Sequence, residues 1–169
     1  LTVFLNGNQD VTVEVTPLGT GGAVRSALSL LTSSTALVMN GDSFTEADLC
    51  GFLAFHRSRR AQVSLLLTYL ANADRYGLVE VDGEVVTAFH EKPLHGHAGG
   101  YINTGVYLID TAVVGQIPAD RPVSLEREVL PRLCQSRCYA VRGEFPFMDI
   151  GTPESYRAAD AFFRERIAS

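Results

Sequence analysis

Ala36-Leu37-Val38-Met39-Asn40-Gly41-Asp42-Ser43 is an apolar run that passes directly into a polar turn. A short, wholly apolar strand of this kind suits a parallel sheet covered on both faces. Gly41 lets the chain turn abruptly at the strand's carboxyl end, where open α/β sheets bind their ligands. A carboxylate placed there is costly unless a cation or several donors meet it. Asp42 therefore reads either as a turn or N-cap residue or as a ligand for a divalent ion. Asp149 has the same setting in Phe145-Pro146-Phe147-Met148-Asp149-Ile150-Gly151-Thr152-Pro153. Brought together by the fold, the two would make a Mg²⁺ site for phosphate chemistry.

On either side of these stretches, strand and helix patterns alternate. Val11 to Val15 alternates like a strand, Pro17 to Gly22 makes a turn, and residues 23–31 carry helical spacing through Val24, Ala27, Leu28 and Leu31. Thr45 is a candidate N-cap for a helix reaching about Arg59, with Leu49, Phe52, Leu53 and Phe55 or His56 inward. Residues 63–70, 101–109 and 139–141 read as strands. Asp82-Gly83 between two alternating runs, Gly77 to Val81 and Val85 to Phe89, signals a hairpin. Helices are predicted near residues 111–116, over 124–133 with a break or kink at Pro131, and from Pro153 to Arg166 behind a Thr152 cap. This alternation predicts an α/β fold, a single domain over residues 1–169 with a β-hairpin insertion.

Composition narrows the function classes. The 169 residues are 46% hydrophobic and 20% charged, which suits a packed core. A net charge of -5 gives no support to nucleic-acid binding. Cys50, Cys134 and Cys138 are too few and scattered for a disulfide framework, and Cys134 and Cys138 lack the partners of a zinc site. No apolar run reaches membrane-spanning length and no signal-peptide pattern is present, so the expectation is no membrane and a cytoplasmic location.

Further polar clusters punctuate the pattern. Gly19-Thr20-Gly21-Gly22 would let a ligand approach the backbone beside unpaired N–H groups at a helix start; a tight turn explains it equally. Its spacing matches neither the dinucleotide fingerprint nor the P-loop. Glu91-Lys92-Pro93 ends the hairpin, either as a solvated edge or as a clamp on a polar substrate. Asn103-Thr104-Gly105 interrupts an apolar strand and needs partners, structural or ligand. His56, His90, His95 and His97 form no convincing set, and no GxSxG nucleophile arrangement occurs.

In this order, Leu18-Gly19-Thr20-Gly21-Gly22-Ala23, Asn40-Gly41-Asp42-Ser43, Arg75-Tyr76-Gly77, Phe89-His90-Glu91-Lys92-Pro93, Asn103-Thr104-Gly105-Val106-Tyr107 and Asp149 to Tyr156 resemble the sugar-1-phosphate nucleotidyltransferases over nearly the whole chain. Within that family the chain is most similar to the D-glycero-α-D-manno-heptose 1-phosphate guanylyltransferases. The resemblance implies a Rossmann-like, GT-A-like mixed sheet flanked by helices. It implies transfer of a nucleotidyl group from an NTP, GTP first, to a sugar 1-phosphate, releasing pyrophosphate. A mannose- or glucose-1-phosphate nucleotidyltransferase and a non-catalytic sugar-nucleotide-sensing relative are the alternatives, and a homo-oligomer is compatible with any of them.

By position, the resemblance implies Mg²⁺ on Asp42 and Asp149, with Lys92 completing the catalytic set. Leu18, Gly19, Thr20, Gly21 and Gly41 would contact the nucleotide. Gly77, Glu91, Lys92, Asn103 and Thr104 would contact the sugar phosphate. The chemistry requires no catalytic His or Ser, because a sugar phosphate is already an anionic nucleophile. Members of the family open with a strand, a Gly-rich loop bearing Arg, and then a Lys that together grip the triphosphate. That pattern does not occur in these residues, so the chain reads as N-terminally incomplete and is expected, alone, to bind NTP poorly and turn over little.

Overall fold

In chain order the computed structural model runs β1 (Thr2–Leu5), β2 (Asn8–Val11), α1 (Gly19–Ser26), β3 (Thr35–Met39), β4 (Ser43–Thr45), α2 (Leu49–Ser58), β5 (Val63–Asn72), β6 (Leu78–Asp82), β7 (Val85–His90), β8 (Ala98–Asp110), α3 (Thr111–Gln116), α4 (Leu130–Leu133), β9 (Cys138–Gly143), β10 (Phe147–Asp149) and α5 (Pro153–Ile167). It describes residues 2–5, 8–11, 13–90, 98–134 and 137–167. The principal sheet has the order β3-β8-β5-β9-β7-β6. It is mixed: β5 and β9 run parallel, while β3–β8, β5–β8, β6–β7 and β7–β9 are antiparallel.

Alternation along the central strands sorts the core into two layers. Val63, Leu65 and Leu67 of β5 and Tyr107 and Ile109 of β8 enter one layer with Val24 of α1, Val113 and Val114 of α3, and Leu125 and Leu130. Leu66, Val106 and Leu108 face the other way, onto Phe52 of α2. Each fully buried Leu contributes about 2 kcal/mol relative to exposure. Among the described residues, no helix is long and apolar enough to cross a membrane.

Several local expectations are corrected. The strand placed at Val11 to Val15 ends at Val11, and Val13 and Val15 stand exposed in open chain. Helix α1 starts at Gly19, so the glycines taken for a turn form its first turn, and a 3₁₀ turn at Leu28–Leu30 completes the stretch. Strand β3 is neither parallel nor covered on both faces: among the described residues it pairs with β8 alone, antiparallel, and Leu37 and Met39 are about half exposed. Thr45 belongs to β4. The cap of α2 is Asp48, which accepts from the Gly51 N–H at 3.0 Å, and Leu49 is exposed rather than inward.

Pro131 does not break its segment. Residues Leu125–Val129 form a π-turn that leads into α4, with Pro131 in the first turn of that helix. Proline cannot donate to the carbonyl four residues back and its ring clashes there, so a widened turn before it removes the conflict.

Candidate functional site

The two aspartates meet through a pairing the sequence pattern does not announce. Strands β4 and β10 form a two-stranded antiparallel sheet in which Asp149 is opposite Ser43, and the Ile150 N–H donates to the Asp42 carbonyl at 2.9 Å. Both carboxylates lie over Gly151: a Cβ there would sit 2.9 Å from Asp149 Oδ1 and 3.9 Å from Asp42 Oδ2. Asp149 Oδ1 accepts from the Gly151 N–H, an Asx-turn bond that orients the side chain. Its Oδ2 faces Arg75 Nη2 at 3.5 Å, a long and half-exposed contact of little strength. Asp42 is exposed, on a Gly41 turn whose surroundings are open.

Position 40 is anchored by a bulge. Between Leu65 and Leu67 of β5, strand β8 advances from Asn103 to Tyr107, so extra residues loop out opposite Leu66. Thr104 is turned inward, and its hydroxyl donates to the Leu66 carbonyl at 3.0 Å. The Asn40 N–H donates to the Gly105 carbonyl at 2.9 Å, and Ser43 Oγ donates to the Thr104 carbonyl at 3.1 Å. These bonds tie the Asp42 turn to the strand that carries Asn103. A bulge beside a site re-aims side chains in this way. It also brings Asn103 Nδ2 to within 2.6 Å of the Tyr107 hydroxyl, four residues on.

A cavity of about 570 Å³ opens beside this strand, lined among others by Tyr76, Gly77, Asn103 and Glu126. Tyr76 connects it to the aspartates. Burial first, then the nearby Asp149 charge, raises the pKa of its phenol. Tyr76 also packs edge-on against Phe147 of β10, with ring centroids 5.7 Å apart.

At the amino end of α1, two of the backbone donors are already engaged. The Gly21 and Gly22 N–H groups both donate to the Val123 carbonyl, at 2.8 and 3.3 Å, and the Val123 N–H donates to the Leu18 carbonyl at 2.8 Å. A Cβ at Gly19 would meet Val123 O at 2.6 Å, so this backbone approach requires glycine. Thr20 is likewise engaged: its hydroxyl donates to Glu126 Oε2 at 2.7 Å and accepts from the Leu125 N–H at 2.9 Å.

Gly77 and Asn103 thus share one cavity, and Asp42 and Asp149 converge near it. Leu18, Gly19, Thr20 and Gly21 lie at the Val123 contact, and Thr104 lies within the core. Glu91, Lys92, His95 and His97 lie outside the described residues. Among the described residues no group of three or more His, Cys, Asp or Glu side chains could hold a metal. The buried His56 bonds Ser64 Oγ at 2.9 Å and plays a packing role; burial lowers its pKa.

Two residues absent from the sequence-based site are prominent. Tyr107 is fully buried, and its hydroxyl donates to Glu126 Oε1 at 3.1 Å. Burial and then the Glu126 charge push its pKa up, so it stays protonated as that bond requires. Glu126 collects bonds from α1, from β8 and from the Ser124 cap of its own turn, and only its place after that cap hinted at a fixed position.

A model of the nucleotidyl transferase family matches residues 5–166. The chain is 40% identical over 144 residues to a mannose-1-phosphate guanylyltransferase of Mycobacterium tuberculosis, covering 83% of this chain and 40% of that protein. It is 34% identical over 148 residues to the D-glycero-α-D-manno-heptose 1-phosphate guanylyltransferase of Aneurinibacillus thermoaerophilus, covering 87% of this chain and 64% of that one. Among solved structures, HddC from Yersinia pseudotuberculosis complexed with GMP-PN superposes with a TM-score of 0.78 at 30% identity, covering 90% of this chain and 66% of that one. The chain therefore spans about two fifths to two thirds of the length of these relatives.

Proposed function

The chain belongs to the nucleotidyl transferase family, and from that premise we propose that it carries the sugar-binding and cation-binding part of a sugar-1-phosphate guanylyltransferase. The observation that carries this reading is the convergence of Asp42 and Asp149 beside a cavity walled by Gly77 and Asn103. The reaction is attack of a sugar-phosphate oxygen on the α-phosphorus of GTP, with cleavage of the α–β anhydride and departure of pyrophosphate. The nucleophile is already ionised, so the protein's task is to align it and neutralise charge.

The carboxylates suit Mg²⁺. They are hard oxygen donors, and Mg²⁺ is usually held by one or two carboxylates, with waters and substrate phosphates completing its shell. Such an ion supplies charge neutralisation on the phosphates as the bond to phosphorus forms. Asp149 is held for that purpose by its bond from Gly151, and Asp42 by the backbone bonds that tie its turn to β8 and β10. Asn103 lines the cavity, which supports its assignment to the sugar. Glu91 and Lys92 follow β7 directly and are assigned to the same substrate as sugar and phosphate contacts.

Both mannose 1-phosphate and D-glycero-α-D-manno-heptose 1-phosphate are candidate acceptors, the first favoured by the 40% identity to the mycobacterial enzyme. The test is pyrophosphate release by the protein as its gene encodes it, with each nucleoside triphosphate paired with each sugar 1-phosphate. Turnover dominated by GTP supports the proposal. Dominant use of UTP, CTP or dTTP, or no turnover with any pair, overturns it.

A further inference from the structure

Glu126 lies where the cavity wall, α1 and β8 meet, and its bonding capacity is almost exhausted. Its Oε2 accepts from Thr20 Oγ1 at 2.7 Å and from Ser124 Oγ at 3.0 Å, and its Oε1 accepts from the Tyr107 hydroxyl at 3.1 Å. A carboxylate offers about four acceptor positions, so one remains, on Oε1. Asn103 is constrained in the same manner. Its Oδ1 accepts from the Gly105 N–H at 3.0 Å, and one Nδ2 hydrogen goes to the Tyr107 oxygen at 2.6 Å. Among the described residues, its second Nδ2 hydrogen is uncommitted.

Both residues line the cavity. Its wall therefore presents one acceptor and one donor, linked and spaced by a buried phenol. A hydroxyl answers both, donating to the carboxylate and accepting from the amide. An ether or carbonyl oxygen answers only the amide and leaves Glu126 desolvated without a partner.

Resting on the functional reading above, we propose that Glu126 is a specificity residue that, with Asn103, grips one hydroxyl of the sugar 1-phosphate. Thr20 and Ser124 act through it as positioning residues: they saturate Oε2 and so aim Oε1 into the cavity. The π-turn over Leu125–Val129 places the carboxylate there, and such turns recur at functional sites.

The experiment uses the protein as its gene encodes it, GTP, and mannose 1-phosphate or the heptose 1-phosphate with a set of monodeoxy analogues. In the parent, removal of one particular hydroxyl should lower kcat/KM by about ten- to a hundredfold, the loss typical of a hydrogen bond to a charged group. In Glu126→Gln that penalty should shrink to about threefold or less, while penalties at the other positions stay as in the parent. A purely structural role for Glu126 would lower activity on all analogues together and leave the hydroxyl dependence unchanged. That result overturns the assignment. If Glu126→Gln does not fold, Glu126→Asp keeps the charge, withdraws the carboxylate and carries the same comparison. No turnover by the parent with any sugar 1-phosphate refutes the functional reading and this assignment with it. Turnover with unaltered hydroxyl dependence refutes the assignment alone.

Discussion

Gly105→Ala is the substitution whose cost the structure specifies most closely. Gly105 has φ of 78°, where an L-residue costs about 1–2 kcal/mol. The new Cβ would stand 2.5 Å from Asn40 Nδ2, 2.7 Å from its Cγ and 2.9 Å from its Cβ, so turning the amide alone gives no relief. Asn40 must move, straining the bond from its N–H to the Gly105 carbonyl, worth about 1 kcal/mol. The expected loss is about 2–4 kcal/mol, read as a lower urea midpoint at constant slope by circular dichroism. Asn40→Gly removes the obstructing side chain, so in the Asn40→Gly/Gly105→Ala double variant about half of that loss should disappear, leaving the backbone term. Asn40 is two residues from Asp42, so the single variant should also weaken cation binding. A Gly105→Ala protein within about 0.5 kcal/mol of the parent, or a double variant with strictly additive losses, would refute the account of this bulge.

Tyr107→Phe removes a fully buried hydroxyl that bonds both Glu126 and Asn103; a loss of about 2 kcal/mol in urea unfolding is expected, and an unchanged midpoint would show that the network carries no stability. Leu65→Ala empties a site at the centre of the larger core layer and should cost about 2–5 kcal/mol by the same assay. His56 has its folded pKa lowered by burial, so the unfolded chain binds more protons as pH falls below about 6.5. Its contribution to stability is thus present above the unfolded value and is lost on acidification. His56→Gln should flatten the fall in unfolding midpoint between about pH 7.5 and 5.5, and an equal fall in both proteins would exclude this histidine as its source.

Much of the fold was legible because the β6–β7 hairpin alternates around Asp82-Gly83, and β5 and β8 are apolar runs whose successive residues are buried on both faces. The β4–β10 pair was not, since each strand is three residues long and its partner is remote in sequence, so neither leaves a periodic trace. Ala36 to Met39 misled for a related reason: an unbroken apolar run does not say whether a strand is central or at an edge. Asp48 displaced Thr45 as the helix cap because β4 claimed Thr45 first. At the site, Asp42, Asp149 and Asn103 stood out by their local context, and Gly77 only through the family resemblance. Glu126 did not, because two of the side chains that hold it, Thr20 on α1 and Tyr107 on β8, reach it only in the folded chain.

Whether Asp42 and Asp149 act as one cation site is decided by calorimetric titration of Mg²⁺ into the nucleotide-bound protein, as its gene encodes it. Parent, Asp42→Asn, Asp149→Asn and the double variant are compared. Each single substitution should weaken the ion by about tenfold or more, with rates of nucleotidyl transfer falling on the order of a thousandfold, and the double variant should be little worse than either single one. Mg²⁺ affinity unchanged in both single variants would contradict the shared site.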